Sequence, residues 1–278
     1  MPEQAWLASL TAFLVAAPRD GRRRWDVAAL TIALVGLYAY GSVRLFTEQS
    51  GPSVRVAGIV ADLGPTPTGF PDSQSLARNT DELFARSEIA ANRGARVVVW
   101  NEAATVIEAS EEAGFVERGA RLARTHQVDL MLGYIVPLTK SRYRFENKYV
   151  WLSQDGEVLE TYFKHHPVPG EGTVKGDQPL RVMERPYAKA AGAICYDYDF
   201  PAMGRAHARL GAGLVLVPSS DWRGIDPFHT QMARLRAIEG GFSIVRPVRW
   251  ATSGAFDAYG RARATMSHFE ANDRIMMA

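Results

Sequence analysis

Apolar residues along the chain fall into two regimes: long unbroken runs up to about residue 50, and short runs separated by polar segments thereafter. In the first regime, Val27–Phe46 (VAALTIALVGLYAYGSVRLF) carries one charge, Arg44, close to its end. Its length matches a helix that crosses a bilayer. Trp25 at one end, and Tyr38 and Tyr40 toward the other, suit anchoring at the two interfaces. Upstream, Ala5–Ala17 is apolar for 13 residues, too short to span alone, and Met1–Gln4 lacks the basic start of a signal peptide. It reads as half of a helical hairpin or the remnant of a longer membrane region. Between the two runs, Arg19-Asp20-Gly21-Arg22-Arg23-Arg24 sets four arginines against one acid, which marks the cytoplasmic side. The pattern predicts a membrane segment over residues 1–50: a partial span at 5–17, a basic loop at 18–25 and a transmembrane helix at 26–46. Everything after Thr47 then lies on the outer side of a bacterial-type cytoplasmic membrane.

The second regime predicts one α/β domain over residues 53–270. Val54–Val60 is a strand, a Gly- and Pro-rich loop covers Gly64–Pro71, and a helix runs from Asp72 to Asn92 with Asp72 or Ser73 as its cap. Arg96–Trp100 is a short buried strand, Glu111–Gln127 an amphipathic helix and Asp129–Val136 another strand. Lys148–Ser153 and Glu157–Lys164 form a hairpin around Gln154-Asp155-Gly156. Ala188–Ile194 is a buried strand that breaks into a tight turn before the helix Ala202–Leu210. Leu214–Pro218 is a strand, and His229–Glu239 a helix stopped by Gly240-Gly241. Phe242–Arg249 and Ala251–Arg263 close the domain with paired strands. Strands alternate with helices and hairpins, which predicts a mixed sheet layered with helices.

Composition narrows the chemistry mostly by exclusion. The 278 residues carry a net charge of +2 and 22% charged residues, so nothing marks a general polyanion binder and no nucleic-acid partner is expected. A single cysteine, Cys195, excludes an internal disulfide. The sequence holds no Cys-x-x-Cys, His-Glu-x-x-His, P-loop or Gly-x-Gly-x-x-Gly motif, which leaves zinc, phosphate-loop and dinucleotide readings without support. The arginines of Arg234–Arg249 lack aromatic interleaving and read as a solvated face.

Three reactive types fall just past strand ends: Glu102, Lys164 and Cys195. The carboxyl ends of strands are where open α/β sheets place their chemistry. A thiol attacks a carbonyl carbon as the thiolate, so it needs a base, and a buried carboxylate serves. The oxyanion that follows is stabilised by a fixed ammonium and backbone amides. Glu, Lys and Cys are thus chemically sufficient, although spacing alone leaves open whether they meet. Taken singly, each has an ordinary explanation as a packed thiol, a loop carboxylate or an edge-strand lysine. His165 and His166 are adjacent on a strand and point to opposite faces, which disfavours a metal pair or a Cys–His dyad. Ser219-Ser220 with Asp221 and His207 lacks the Gly-x-Ser-x-Gly turn of a serine hydrolase.

VVVWNEAA at Val97–Ala104, FKHHPVPGEG at Phe163–Gly172 and GAICYDYDFP at Gly192–Pro201 resemble, in order, the three signature regions of the nitrilase, or carbon–nitrogen hydrolase, superfamily. VPSSDWRG at Val217–Gly224 and the stretch His229–Arg261 resemble the branch that contains apolipoprotein N-acyltransferase. The resemblance covers roughly residues 54–270. It implies an αββα nitrilase-like sandwich, here preceded by an N-terminal transmembrane helix. It also implies Glu102 as general base, Lys164 as oxyanion stabiliser and Cys195 as the nucleophile that forms a thioester. Glu171 and Tyr196 correspond to substrate-positioning groups, the Tyr196 amide being an oxyanion donor, and Asp221 and Trp222 are expected to line the pocket. The family uses neither metal nor cofactor. The leading expectation is acyl transfer from a phospholipid donor to the amino terminus of a lipoprotein at the membrane. The alternative is an amidase or nitrilase acting on a small amide or nitrile, as the Tyr-Asp after the cysteine is common among soluble members.

Overall fold

The computed structural model describes residues 23–46, 52–64, 70–138 and 144–278. The chain divides into two compact units, Met1–Ser50 and Gly51–Ala278. Within the first, a helix α1 runs Arg23–Phe46. Its Trp25–Phe46 portion is long and apolar enough to cross a membrane, and its side chains, Ile32, Leu37 and Val43 among them, are exposed as those of a soluble core helix are not. The partial span at 5–17 and most of the basic loop lie outside the described residues.

In the second unit the elements follow as β1 (Val56–Ile59), α2 (Ser73–Asn92), β2 (Val97–Trp100), α3 (Glu112–His126), β3 (Asp129–Pro137), β4 (Phe145–Leu152) and β5 (Val158–Phe163). There follow β6 (Met183–Glu184), β7 (Lys189–Gly192), α4 (Pro201–Arg209), β8 (Leu214–Leu216), β9 (Ser219–Ser220) and α5 (Phe228–Gly240). The chain ends with β10 (Ser243–Arg246), β11 (Val248–Arg249), β12 (Thr252–Phe256), β13 (Ala262–Ser267) and β14 (Ile275–Met277). One six-stranded sheet has the order β14-β1-β2-β3-β4-β5 and the other β13-β12-β10-β8-β7-β6.

Side-chain alternation turns these sheets into layers. In β2, Val98 and Trp100 face one way and pack with Leu83 and Phe84 of α2 and Phe115 of α3. Val97 and Val99 face the other way, meeting Leu214, Leu216 and Val245 of the second sheet. On the far side of that sheet, Val215 and Ile244 pack with Ala233 and Ala237 of α5. Strands buried on both faces need continuous apolar runs, which explains why VVVW and LVL carry no polar residue. Helix, sheet, sheet, helix is the αββα sandwich expected.

Local signals set the element boundaries. The Asp72 side chain accepts from the Ser75 amide at 2.9 Å and starts α2. Gly241, in the left-handed conformation at φ 70°, ends α5. Several elements depart from the expected bounds, β4 starting at Phe145 and β13 running on to Ser267 among them. The stretch Phe242–Arg249 is two strands rather than one, broken at Pro247, which has no amide to donate to a ladder. The short β14, which no periodicity signals, pairs antiparallel with β1.

Strand direction brings the chemistry together. β1, β2 and β3 are parallel, while β4 runs against β3 and β5 against β4, so β2 and β5 point the same way. Glu102 and Lys164 therefore leave the first sheet at the same end. β7, β8 and β10 are mutually parallel, and their carboxyl ends lead to Cys195, to Ser219–Asp221 and to Arg246.

Candidate active site

The nucleophile candidate sits at a strained turn. After β7 the chain enters a 3₁₀ turn, Cys195–Asp199, and Cys195 itself adopts φ 44°. A non-glycine residue there costs about 1–3 kcal/mol and persists only where its surroundings hold it. Its amide donates to Pro218 O at 2.9 Å and that of Asp197 to Ile194 O at 2.9 Å. The Tyr196 amide between them has no acceptor among the described residues. Asp197, fully buried, braces the turn. Its Oδ2 accepts from the Ile194 amide at 3.0 Å and the Tyr162 hydroxyl at 2.9 Å, while its Oδ1 accepts from the His166 amide at 2.7 Å. The cysteine turn is thereby tied to the segment that carries Lys164.

Lys164 is buried and ion-paired on both sides, 2.7 Å from Glu102 Oε1 and 2.9 Å from Glu171 Oε2. Asn147 Nδ2 donates to the same two carboxylates, at 2.8 Å and 3.1 Å. Burial opposes the Lys164 charge, but Glu102, Cys195 and Glu171 outweigh it and push its pKa up. Burial likewise opposes the Glu171 charge, yet Lys164 and the Val168 amide hold its carboxyl below the usual range.

Ser220 links this pair to the thiol. Its amide donates to Glu102 Oε2 at 2.9 Å, and its carbonyl lies 3.7 Å from Cys195 Sγ. Burial, then the charges of Glu102 and Asp221, push the Cys195 thiol well above its ordinary range, while Arg246 and Lys164 act in the opposite direction. The Ser220 peptide thus bridges Cys195 and Glu102, and Lys164 reaches it only through its ion pair with Glu102.

Asp221 lies against the sulfur, with Oδ1 at 3.8 Å from Sγ. It is bound by Arg246 at 3.0 and 3.1 Å and by His229 Nδ1 at 2.8 Å. Burial opposes its charge, but Arg246 and His229 hold its carboxyl well below the carboxylate range. His229 also contacts Asp199 through Nε2. Burial works against a charged imidazole, and the two carboxylates overcome it to push its pKa up. Trp222, by contrast, is 58% exposed, and Tyr196 is half-buried, its ring edge-on to Phe200 at 5.2 Å.

The family model for carbon-nitrogen hydrolases matches residues 60–272, which include every one of these groups. The chain belongs to the carbon-nitrogen hydrolase family. Among curated relatives of this family member, apolipoprotein N-acyltransferase of Methylococcus capsulatus is 28% identical over 95% of this chain and 56% of its own length. The enzyme of the same name from Pseudomonas aeruginosa strain LESB58 is 26% identical over 84% of this chain and 49% of its own. The chain therefore spans about half the length of the curated relatives it matches. Its fold is shared with solved structures that include an amidase from the nitrilase superfamily. A mutant of the Nesterenkonia AN1 amidase from the nitrilase superfamily superposes with a TM-score of 0.69 at 20% identity, covering 83% of this chain and 91% of that one. The C. elegans NitFhit protein gives 0.68 at 19% identity, over 83% and 61%.

Within this carbon-nitrogen hydrolase fold, several functional neighbours escape a reading of the sequence. Arg246 and Arg249 are buried, at 1% and 2% exposure, so the Arg234–Arg249 stretch is no uniform solvated face. An arginine is buried where an acid receives it, and Asp221 lies 25 residues away in sequence. Its one signal was its place at a parallel strand's carboxyl end. Asn147 and His229 are equally invisible to spacing. The two adjacent histidines have separate partners, His166 pairing with Asp197 at 3.0 Å and His165 stacking on Tyr162 at 4.8 Å. His207 bonds the Tyr198 hydroxyl at 2.7 Å, and burial lowers its pKa to about 4. Cys195, Asp221 and His229 bring donor atoms within 4.8 Å of one another, a spacing that could suit a cation. The guanidinium of Arg246 lies among them, 3.9 Å from Sγ and 3.0 Å from His229 Nδ1, and its charge opposes a metal there.

Proposed function

We propose that the protein is a thiol acyltransferase that moves an acyl chain from a phospholipid to the amino terminus of a lipoprotein through a thioester on Cys195. The observation that carries the chemistry is the arrangement about Ser220, with Glu102 on its amide and Cys195 on its carbonyl. Glu102 takes the thiol proton, and Sγ attacks the ester carbonyl of the donor. Lysine has three N–H donors, and the two spent on Glu102 and Glu171 leave a third for the oxyanion, joined by the Tyr196 amide. Collapse breaks the ester C–O bond, Glu102 returns its proton to the departing alcohol, and a lysophospholipid leaves. In the second half an amine attacks the thioester, Glu102 accepts the amine's proton, the C–S bond breaks and the proton passes to sulfur. An amide remains on the acceptor. Glu171 holds Lys164 in place, and on this reading Asp221, beside the sulfur, and Trp222 contact the acyl chain.

Similarity to apolipoprotein N-acyltransferases and a helix fit to cross a membrane favour a lipid donor over a small soluble one. The runner-up, an amidase acting on a small amide, shares the first half-reaction and differs in that water resolves the thioester. Membranes holding the protein are incubated with radiolabelled phospholipid and a diacylated lipopeptide. Label on the peptide amine supports transfer, whereas label recovered only as free fatty acid overturns it in favour of hydrolysis. The outward-facing orientation is tested in parallel by protease access to Gly51–Ala278 in sealed vesicles.

A further inference from the structure

Arg246 carries a formal charge that burial makes costly, and it is 1% exposed. Asp221 compensates it through both carboxylate oxygens, and Thr230 Oγ1 fixes Nη1 at 2.7 Å. A closed ion pair would end there. This one does not, because Nη2, which bonds Asp221, also approaches Cys195 Sγ at 3.9 Å. We propose that Arg246 is a catalytic residue that receives the negative charge of the Cys195 sulfur, with Asp221 setting how much of the guanidinium's charge the sulfur sees.

The inference rests on Cys195 being the nucleophile, and it adds a partner for the sulfur that the base and the lysine do not supply. When Glu102 takes the thiol proton, a unit of negative charge moves from carboxylate to sulfur. Lys164 is held between Glu102 and Glu171, whereas Arg246 is the cation with a donor in direct reach of Sγ. The same contact serves the second half-reaction. As the thioester C–S bond breaks, its electron pair goes to sulfur, and a guanidinium at hydrogen-bond range makes that thiolate a better leaving group. Asp221, 3.8 Å from Sγ, opposes the thiolate and partly neutralises Arg246. The charged groups around the sulfur come from facing elements: Glu102 after β2, Lys164 after β5, Asp221 after β9, His229 on α5 and Arg246 at the end of β10. The guanidinium stays charged at every accessible pH, which suits a fixed electrostatic role.

The test uses the full-length chain in detergent and the rate of iodoacetamide alkylation against pH. With one cysteine in the chain, every adduct reports on Cys195. Asp221→Asn removes the opposing carboxylate and frees the guanidinium, and alkylation near neutral pH rises roughly 10-fold, as for a thiol whose thiolate fraction has grown by that factor. Adding Arg246→Gln on that background slows it again by about the same factor, and Arg246→Lys restores part of the rate because the cation remains. Making the charge change in the Asp221→Asn background avoids leaving a buried carboxylate unpaired, and a thermal melt of each variant reports folding. Coincident pH profiles for Asp221→Asn and for the double variant overturn the inference. So does a melt showing that Arg246→Lys is fully folded yet alkylated no faster than Arg246→Gln. Acyl-enzyme formation on the unaltered protein is scored separately: its absence overturns the proposed function and leaves this thiol comparison standing.

Discussion

Glu102 holds three neighbours, and under the proposed mechanism it also moves a proton; these duties separate on mutation. Glu102→Gln keeps the side chain's shape but places a neutral amide against the Lys164 ammonium and the Ser220 amide. Loss of the base lowers kcat by about 10²–10⁴-fold, a range typical of general-base removal, as a stopped-time assay of labelled peptide would show. A retained rate would remove Glu102 from the mechanism. Residue-scale chemistry was partly legible. Glu102, Lys164 and Cys195 follow strands and stand in recognisable motifs, which is what singles them out in the sequence. Arg246, His229 and Asn147 were not legible in this way. Their importance lies in partners 8 to 51 residues away on other elements, a separation over which spacing carries no geometric information.

At the scale of elements, the site depends on two seams. The first is Asp197, whose carboxylate joins the cysteine turn to Tyr162 and His166 across the sandwich. Asp197→Asn turns one acceptor oxygen into an NH₂ facing donors, so it destabilises by about 2 kcal/mol, the range for hydrogen bonds to a charged group. A urea titration measures that loss, and thioester formation falls with it. The second seam is Gly133 in β3, where a Cβ would stand 2.3 Å from the backbone oxygen of Asn101. Gly133→Ala pushes the peptide just ahead of Glu102, at a cost of about 1–3 kcal/mol for overpacking, and activity drops more than the melting temperature does. A fully active Gly133→Ala would show that the approach is slack. Most elements were readable because VVVW and LVL stand out as unbroken apolar runs and the amphipathic helices by their period. The break at Pro247 and the strand β14 were not, because a two- or three-residue strand has too few positions to show alternation.

For the molecule as a whole, buried charge makes stability depend on pH. Asp221 and Glu171 have carboxyls held below their usual range, so their contribution is complete above an unfolded carboxylate's pKa of about 4 and is lost as pH falls through the lower folded values. The melting temperature therefore drops as pH is taken below about 4, and less steeply in Asp221→Asn. His229, held up, contributes in the opposite sense: its share is complete below about 6.5 and is lost as pH rises through its higher folded value. Helix α1 gives a second whole-molecule expectation. The protein stays with membranes through an alkaline carbonate wash and leaves with detergent, and deletion of residues 23–46 releases it. Release of the intact protein by carbonate would contradict a spanning helix. The account as a whole turns on sulfur carrying the acyl group. The most direct measurement is peptide mass spectrometry after brief exposure to a defined phospholipid, without an amine acceptor. The expected result is one donor-length acyl group on Cys195, discharged by hydroxylamine and absent from Cys195→Ala; no adduct, or an adduct on another residue, would contradict it.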